Sequence, residues 1–122
     1  MTTVQKAQEN FGKMLETCYS SMTVENFANG IRALVQNNET TWDELGFTDS
    51  DVAERLRKAK VREAAENFGK MLETCYSSMT VENFANGIRA LVQNNETTWD
   101  ELGFTDSDVA ERLRKAKVRE AA

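Results

Sequence analysis

The chain offers few side chains that could carry out catalysis. It contains no histidine, which is the residue most often used as a general base and as a metal ligand. Residues that can act as nucleophiles lie together at Cys18-Tyr19-Ser20-Ser21, but no base lies beside them to activate them. No Cys-x-x-Cys pair, phosphate-binding glycine loop or nucleophile-elbow motif occurs. We therefore predict that the protein is not an enzyme, and that it uses no cofactor and no metal ion.

The densest group of carboxylates consists of Asp43, Glu44, Asp49 and Asp51. Such a group could suit a calcium loop, but this stretch lacks the central glycine and the terminal bidentate glutamate of an EF-hand. Each pair follows a threonine that can cap a helix, and acidic side chains are favourable near the positive start of a helix. We interpret these carboxylates as helix-capping residues.

A run of basic residues follows in each half of the chain. It could contact the phosphates of a nucleic acid, or it could be a solvated helix face whose positive charge suits a helix C-terminus. The net charge of −5 gives no general attraction for nucleic acid or for an anionic membrane. The candidate nucleic-acid contacts are Arg55, Arg57, Lys58, Lys60, Arg62, Arg112, Arg114, Lys115, Lys117 and Arg119.

The segment before the basic run resembles the second half of a helix-turn-helix. It comprises Leu45–Ser50 (LGFTDS), followed by Val52, Leu56 and Arg57, and it is similar to a stretch found in regulators of the AraC type. The resemblance covers about fifteen residues in each copy and implies a DNA-binding regulator. It departs from that pattern because the helix before the turn is short, and because acidic residues such as Asp51 would face the bases. A tandem, single-chain version of a small dimeric helix-turn-helix-like regulator is therefore the alternative hypothesis.

The second half of the chain repeats the first. Residues 9–65 are identical to residues 66–122, and even the polar stretch Gln36–Glu39 recurs unchanged as Gln93–Glu96. Natural repeats keep their core and turn positions while their surface positions diverge. The identity thus indicates a very recent gene duplication or the deliberate joining of one small protein to itself. We predict the second, an engineered single-chain dimer or concatemer.

Each copy is close to the size limit for independent folding, which is roughly 50–60 residues. A unit this small commonly gains stability by pairing with a second copy, and covalent linkage removes the concentration dependence of that pairing. We predict a helical self-association module, built to study or control folding, domain exchange or assembly. Its predicted partner is itself, through pairing of the two copies within the chain, or through a domain-exchanged dimer or a larger assembly.

The spacing of apolar residues predicts an all-α fold. Helices are expected over residues 3–21 and 24–37, with a short turn that ends at Gly46 and a further helix that begins after Thr48. Close approach of another helix and simple tolerance both remain explanations for the helical Gly30. The thiols of both cysteines are expected to be reduced and buried. The predicted self-association core is Phe11, Leu15, Cys18, Phe27, Ile31, Leu34, Trp42, Leu56, Phe68, Leu72, Cys75, Phe84, Ile88, Leu91, Trp99 and Leu113.

The two copies meet in a segment that favours helix throughout. Residues 49–79 contain no proline, so we predict one continuous helix joining two helical bundles. The apolar faces of its halves are separated by about 150°, which predicts two cores that face apart. A break near Ala64-Ala65 would instead close a single bundle. The predicted domains are copy one over residues 1–60, a helical junction over 61–66 and copy two over 67–122.

No apolar run approaches the roughly 18 residues of a membrane span. The first residues also lack the apolar centre of an export signal. We therefore predict a cytoplasmic protein with no membrane partner.

Overall fold

Helices make up most of the chain in a computed structural model, which describes residues 2–122. Within that range there is no β-strand, so the prediction of an all-α fold is confirmed. None of the described helices is long and apolar enough to cross a lipid bilayer. The seven helices of residues 2–122 are α1 (Thr3–Glu16), α2 (Ser21–Gln36), α3 (Trp42–Leu45), α4 (Asp49–Glu73), α5 (Ser78–Gln93), α6 (Trp99–Leu102) and α7 (Asp106–Ala121).

Residue contacts divide the chain into two units. The first unit ends at Lys60, and the second is Val61–Ala122. Helix α4 runs through this boundary without interruption, so residues 61–66 are helical. The helix ends at Glu73, however, and α5 begins at Ser78. The prediction that the junction helix extends to residue 79 is therefore wrong at its C-terminal end.

Helices α3 and α4 open with the caps that the sequence predicts. The Thr41 hydroxyl accepts a hydrogen bond from the Glu44 amide, and α3 ends at Gly46 with φ of 85°. That left-handed conformation costs a glycine little. The hydroxyl of Thr48 accepts from the Asp51 amide at 3.1 Å, while the Asp51 carboxylate accepts from the Thr48 amide at 2.9 Å. These reciprocal bonds form a capping box at the start of α4.

Helix α1 buries a different face from the one that the sequence predicts. Its buried residues are Ala7, Phe11 and Met14, whose steps of four and three keep them on one side of a helix. The apolar spacing places Leu15 in the core, but its side chain is 62% exposed, and the equivalent Leu72 is 63% exposed. Both leucines therefore lie outside the core of their own unit, where Met14 and Met71 are buried instead, and their place in a self-association core stays a prediction.

The helix also stops earlier than predicted. Thr17 is extended, with φ of −121° and ψ of 145°, and the Ser20 hydroxyl accepts from the Thr23 amide to begin α2 at Ser21. Serine competes well for a cap position and poorly for a helix interior. Cys18 therefore lies outside α1 and is exposed, as is Cys75. The prediction of buried thiols is wrong for both.

The core of the first unit is built around aromatic side chains of α1, α2, α3 and the turn before α4. The Phe11 ring stacks on Phe47 with centroids 4.3 Å apart, and Trp42 meets Phe47 edge-on. A second cluster consists of Met14, Val24 and Ala59. The residues buried around the stacked rings are Ala7, Ala28, Ile31, Leu45 and Val52. No atom lies within 4 Å of a Cβ placed on Gly30, so close approach of another helix of this chain does not explain that glycine.

The second unit repeats these clusters with the second half of α4 in place of α1. Val61 and Ala64 of α4 take the helix positions that Val4 and Ala7 hold in α1, and they pack on the core around Phe68. The five residues Val61–Ala65 are identical to residues 118–122. Residues 61–65 therefore end the first copy, and they also provide the first residues that pack on the core of the second unit.

Candidate functional site

The two units share an open groove beside the stacked phenylalanines. In the first unit the groove encloses about 370 Å³ between α1 and the start of α4. It is lined by Phe11, Leu15, Gly46, Phe47, Asp51, Glu54, Arg55 and Lys58. We call this the first groove.

The same groove recurs in the second unit, between the second half of α4 and α7. It encloses about 520 Å³, and we call it the second groove. Its lining includes every equivalent of a first-groove residue, together with three further positions. The lining residues are Ala65, Phe68, Gly69, Leu72, Leu102, Gly103, Phe104, Asp108, Glu111, Arg112 and Lys115.

The apolar part of each groove is formed by a buried phenylalanine pair and an exposed leucine. In the first groove Phe11 and Phe47 are buried, whereas Leu15 projects into solvent. Phe68, Phe104 and Leu72 repeat this arrangement. Each groove thus combines an exposed leucine with a buried apolar floor and a charged rim.

The charged rim of each groove lies on a single helix. Asp51, Glu54, Arg55 and Lys58 are spaced three, one and three residues apart on α4, so they share one face. The acidic pair comes first and the basic pair second. The equivalent residues of α7 follow the same order.

In each rim, one arginine is hydrogen-bonded to the end of the helix that forms the opposite wall of the groove. Arg55 Nε donates to the carbonyl oxygen of Met14 at 2.5 Å, and Nη2 donates to that of Thr17 at 3.2 Å. Arg112 makes the equivalent bonds to Met71 and Thr74. These carbonyls end a helix and lack partners within it. Arg55 and Arg112, predicted as nucleic-acid contacts, are thus used inside their units.

Other members of the basic run also have partners within the second unit. Arg114 pairs with Glu111 one turn away, and this hydrogen bond lowers the pKa of Glu111 and raises that of Arg114. Arg119 Nη2 donates to the Tyr76 carbonyl oxygen at 2.8 Å. In the first unit Arg57 pairs with Glu54 in the same way.

The basic residues do not form one stripe. A helix turns by about 100° per residue, so Arg55, Lys58 and Arg62 share one face of α4, while Arg57 and Lys60 lie on another. Lys58, Lys115 and Lys117 are exposed. The run predicted to contact phosphates is therefore split between two faces of its helix.

The carboxylates near the turn act on the protein itself. Asp49 pairs with Arg32 of α2 at 2.6 Å, and Asp106 pairs with Arg89 of α5 at 2.7 Å. Glu44 accepts from the Thr40 hydroxyl at 3.2 Å. Among residues 2–122, no three cysteine, aspartate or glutamate side chains gather closely enough to hold a metal ion.

The predicted self-association residues fall into three groups by exposure. Four are buried, namely Phe11, Ile31, Phe68 and Ile88. Those that are half-buried are Phe27, Leu34, Trp42, Leu56, Phe84, Leu91, Trp99 and Leu113. Those that are exposed are Leu15, Cys18, Leu72 and Cys75. The structure brings Phe11 with Leu15, and Phe68 with Leu72, into a groove.

The sequence reasoning missed the rim of the groove. It assigned Asp51 to capping and Arg55 and Lys58 to a basic run, without noting that they share a face with Glu54. Their spacing alone could have revealed this. The apolar floor could not have been found in this way, because it depends on contacts between Phe11 and Phe47.

Comparisons of the chain with protein-family models, with curated proteins and with solved structures found no match. The similarity of Leu45–Ser50 to the AraC type of regulator therefore stays a local one.

Proposed function

We propose that the protein is a non-enzymatic, helical self-association module, and that the groove of each unit is the element that associates. The observation that carries the proposal is the exposure of Leu15 and Leu72 beside a floor of buried phenylalanines. Burying a leucine side chain stabilises a complex by roughly 1.5–3 kcal/mol relative to leaving it in water. Two such sites in one chain supply a favourable surface for association.

The proposal extends to the origin of the chain. Residues 9–65 and 66–122 are identical at every position, which supports an engineered tandem of one small protein over a pair of diverged repeats. Two bundles joined through α4 would hold two association elements in one chain, which favours assembly by raising their effective concentration. The purpose would be to study or control folding, domain exchange or assembly.

The test is the mass of the full chain in solution. Multi-angle light scattering over a hundredfold range of concentration should show the average mass rising above that of the monomer. A chain that keeps the monomer mass at the highest concentration would contradict self-association.

The second candidate is a tandem DNA-binding regulator. The observation in its favour is the left-handed turn at Gly46, which precedes the helix that carries the basic run, as a turn precedes a recognition helix. The helix before that turn, α3, has four residues, and Arg55 is already bound to carbonyl oxygens. Both features make this candidate the weaker one.

A gel-shift titration with random duplex DNA at low salt separates the candidates. Tight binding that weakens steeply with salt would favour the regulator, because neutralised phosphates release counterions. Absence of binding, together with a mass above the monomer, would favour the self-association module.

A further inference from the structure

We infer that each groove binds the groove of a second copy of this chain, with the two rim helices antiparallel and related by a two-fold axis. This inference rests on the proposed self-association and specifies its surface and geometry. A two-fold interface uses the same patch on both partners, so the patch must be complementary to itself. The order of charges along the rim meets that requirement.

The self-complementarity follows from four rim residues on α4. When two copies of the helix pair antiparallel, positions at equal distances from the crossing point face each other. With the crossing point between Glu54 and Arg55, Asp51 faces the second copy's Lys58, and Glu54 faces its Arg55. Every facing pair then has opposite charges, which favours this pairing and its register.

The second groove has the same property. When two copies of α7 pair antiparallel, Asp108 faces the second copy's Lys115, and Glu111 faces its Arg112. A parallel pairing would instead bring like charges together along the whole rim, and like charges across an interface disfavour association. The sequence of charges thus selects the antiparallel orientation.

The bonds within the first unit are compatible with this pairing. Arg55 uses Nε and Nη2 for carbonyl oxygens, and a guanidinium has five N–H donors in all. Glu54 has two carboxylate oxygens, and Arg57 binds Oε1. Each side chain can therefore serve its own unit and the second copy together.

Two helical glycines leave room for this approach. Gly12 and Gly69 lie within α1 and α4, next to Phe11 and Phe68, and Gly69 lines the second groove. A Cβ placed on either glycine would meet no atom within 4 Å. Nothing in the unit therefore needs the missing side chain, although glycine disfavours a helix interior. A second copy that approaches the wall of the groove would use the space.

Each chain carries two such grooves, so its valence toward other copies is two. Blocking one groove should limit association to a dimer, and blocking both should leave a monomer. The variants are Leu15→Gln, Leu72→Gln and the double variant, since glutamine favours a helix as well as leucine does. The matched control is Met22→Gln with Met79→Gln, because these methionines are 73% exposed and lie outside both grooves.

Light scattering on the full chain reads out these variants. We expect the double leucine variant to stay monomeric at concentrations where the unsubstituted chain and the methionine control associate. A double leucine variant that associates like the unsubstituted chain would overturn the groove assignment and leave self-association intact. An unsubstituted chain that remains a monomer would overturn both.

Substitution of the two glycines gives a test whose expected result cannot arise from loss of folding. Gly12→Ala with Gly69→Ala should raise the melting temperature by a few degrees, because alanine favours a helix and nothing in the unit obstructs it. The same variant should weaken association. Higher stability combined with unchanged association would contradict an approach of the second copy at this wall.

Charge reversal tests the orientation. Lys58→Glu with Lys115→Glu should place like charges at the ends of the rim and weaken association by about tenfold or more. Added salt should weaken association of the unsubstituted chain and strengthen that of the reversed variant. Equal affinity and equal salt dependence for both would overturn the antiparallel pairing.

Discussion

The contacts of Arg55 and Arg112 differ from those that their positive charge suggests. Both belong to a basic run that suggests phosphate contacts, yet each donates to two carbonyl oxygens at the end of a neighbouring helix. A guanidinium can serve two acceptors at once because its donors are held in a fixed fork. The positive charge at this position therefore stabilises the fold directly.

Arg112→Lys should destabilise the second unit by about 1 kcal/mol, because an ammonium cannot reproduce both bonds of the guanidinium to the carbonyl oxygens of Met71 and Thr74. Urea unfolding followed by circular dichroism measures the change. The control is Arg114→Lys, which should change stability much less, because solvent screens its surface ion pair with Glu111. Equal effects of the two variants would refute this role of Arg112.

Glu120 should make the stability of the second unit depend on pH. Its carboxylate accepts hydrogen bonds from the Ser78 amide at 2.5 Å and from the Ser78 hydroxyl at 2.8 Å, which lower its pKa below the usual value. A carboxyl whose pKa is lowered by folding stabilises the folded state above its usual pKa. That contribution disappears as the pH falls through the lowered value.

Glu120→Gln should therefore lower the melting temperature at pH 7, and the difference from the unsubstituted chain should shrink as the pH falls below about 4. Glu25→Gln, at an exposed position of α2, controls for the loss of one negative charge. A difference that stays constant from neutral to acidic pH would show that the Glu120 carboxylate does not contribute through its ionised form.

At the scale of elements, the features closest in sequence were the ones that could be predicted. Thr48 and Asp51 cap α4 through bonding groups that lie three residues apart. Gly46 ends α3 because a glycine adopts the left-handed conformation easily. The end of α1 was missed. It is set partly by Arg55, which is 41 residues from Met14 in the chain, and no local pattern reports such a contact.

The continuity of α4 can be tested with two alanines in the same local sequence. Ala64 lies inside α4 and is 6% exposed, whereas Ala121 ends α7 and is exposed. Ala64→Gly should destabilise the chain by about 1 kcal/mol, the cost of glycine in a helix interior. Ala121→Gly should cost a few tenths at most, because helix ends fray. Circular dichroism during urea unfolding measures both, and equal small effects would contradict a helix through residues 61–66.

At the scale of the whole molecule, each unit has its own core. Val52 is fully buried in the first unit and Val109 in the second, and each belongs to a cluster that contains residues of one unit only. A cavity made in one core should therefore act first on the unit that contains it. The two units can be followed separately, because the chain has one tryptophan in each.

Trp42→Phe leaves Trp99 as the reporter of the second unit. In that background we expect Val109→Ala to destabilise the reported transition by about 1–3 kcal/mol through the loss of buried methyl groups and the cavity left behind. Val52→Ala should shift the same transition less. Urea unfolding followed by tryptophan fluorescence distinguishes them, and equal shifts would mean that the two units unfold as one cooperative body.

The sequence by itself determined the helical class, the identity of the two halves, the threonine caps and the capping role of Asp51, because each depends on spacing within a few residues or on direct identity. It did not determine which apolar residues are buried. Leu15 and Met14 are neighbours that differ little in hydrophobicity, and packing against Val24 and Ala59 selected the methionine.

The limit of the sequence is clearest where identical residues have different surroundings. Residues 61–65 and 118–122 are the same five letters, yet Val61 packs on a core while Val118 is 56% exposed. The sequence determined that both segments are helical, since helix propensity is a local property. Only the tertiary structure decided which of them is buried, because burial depends on whether another part of the chain lies against it.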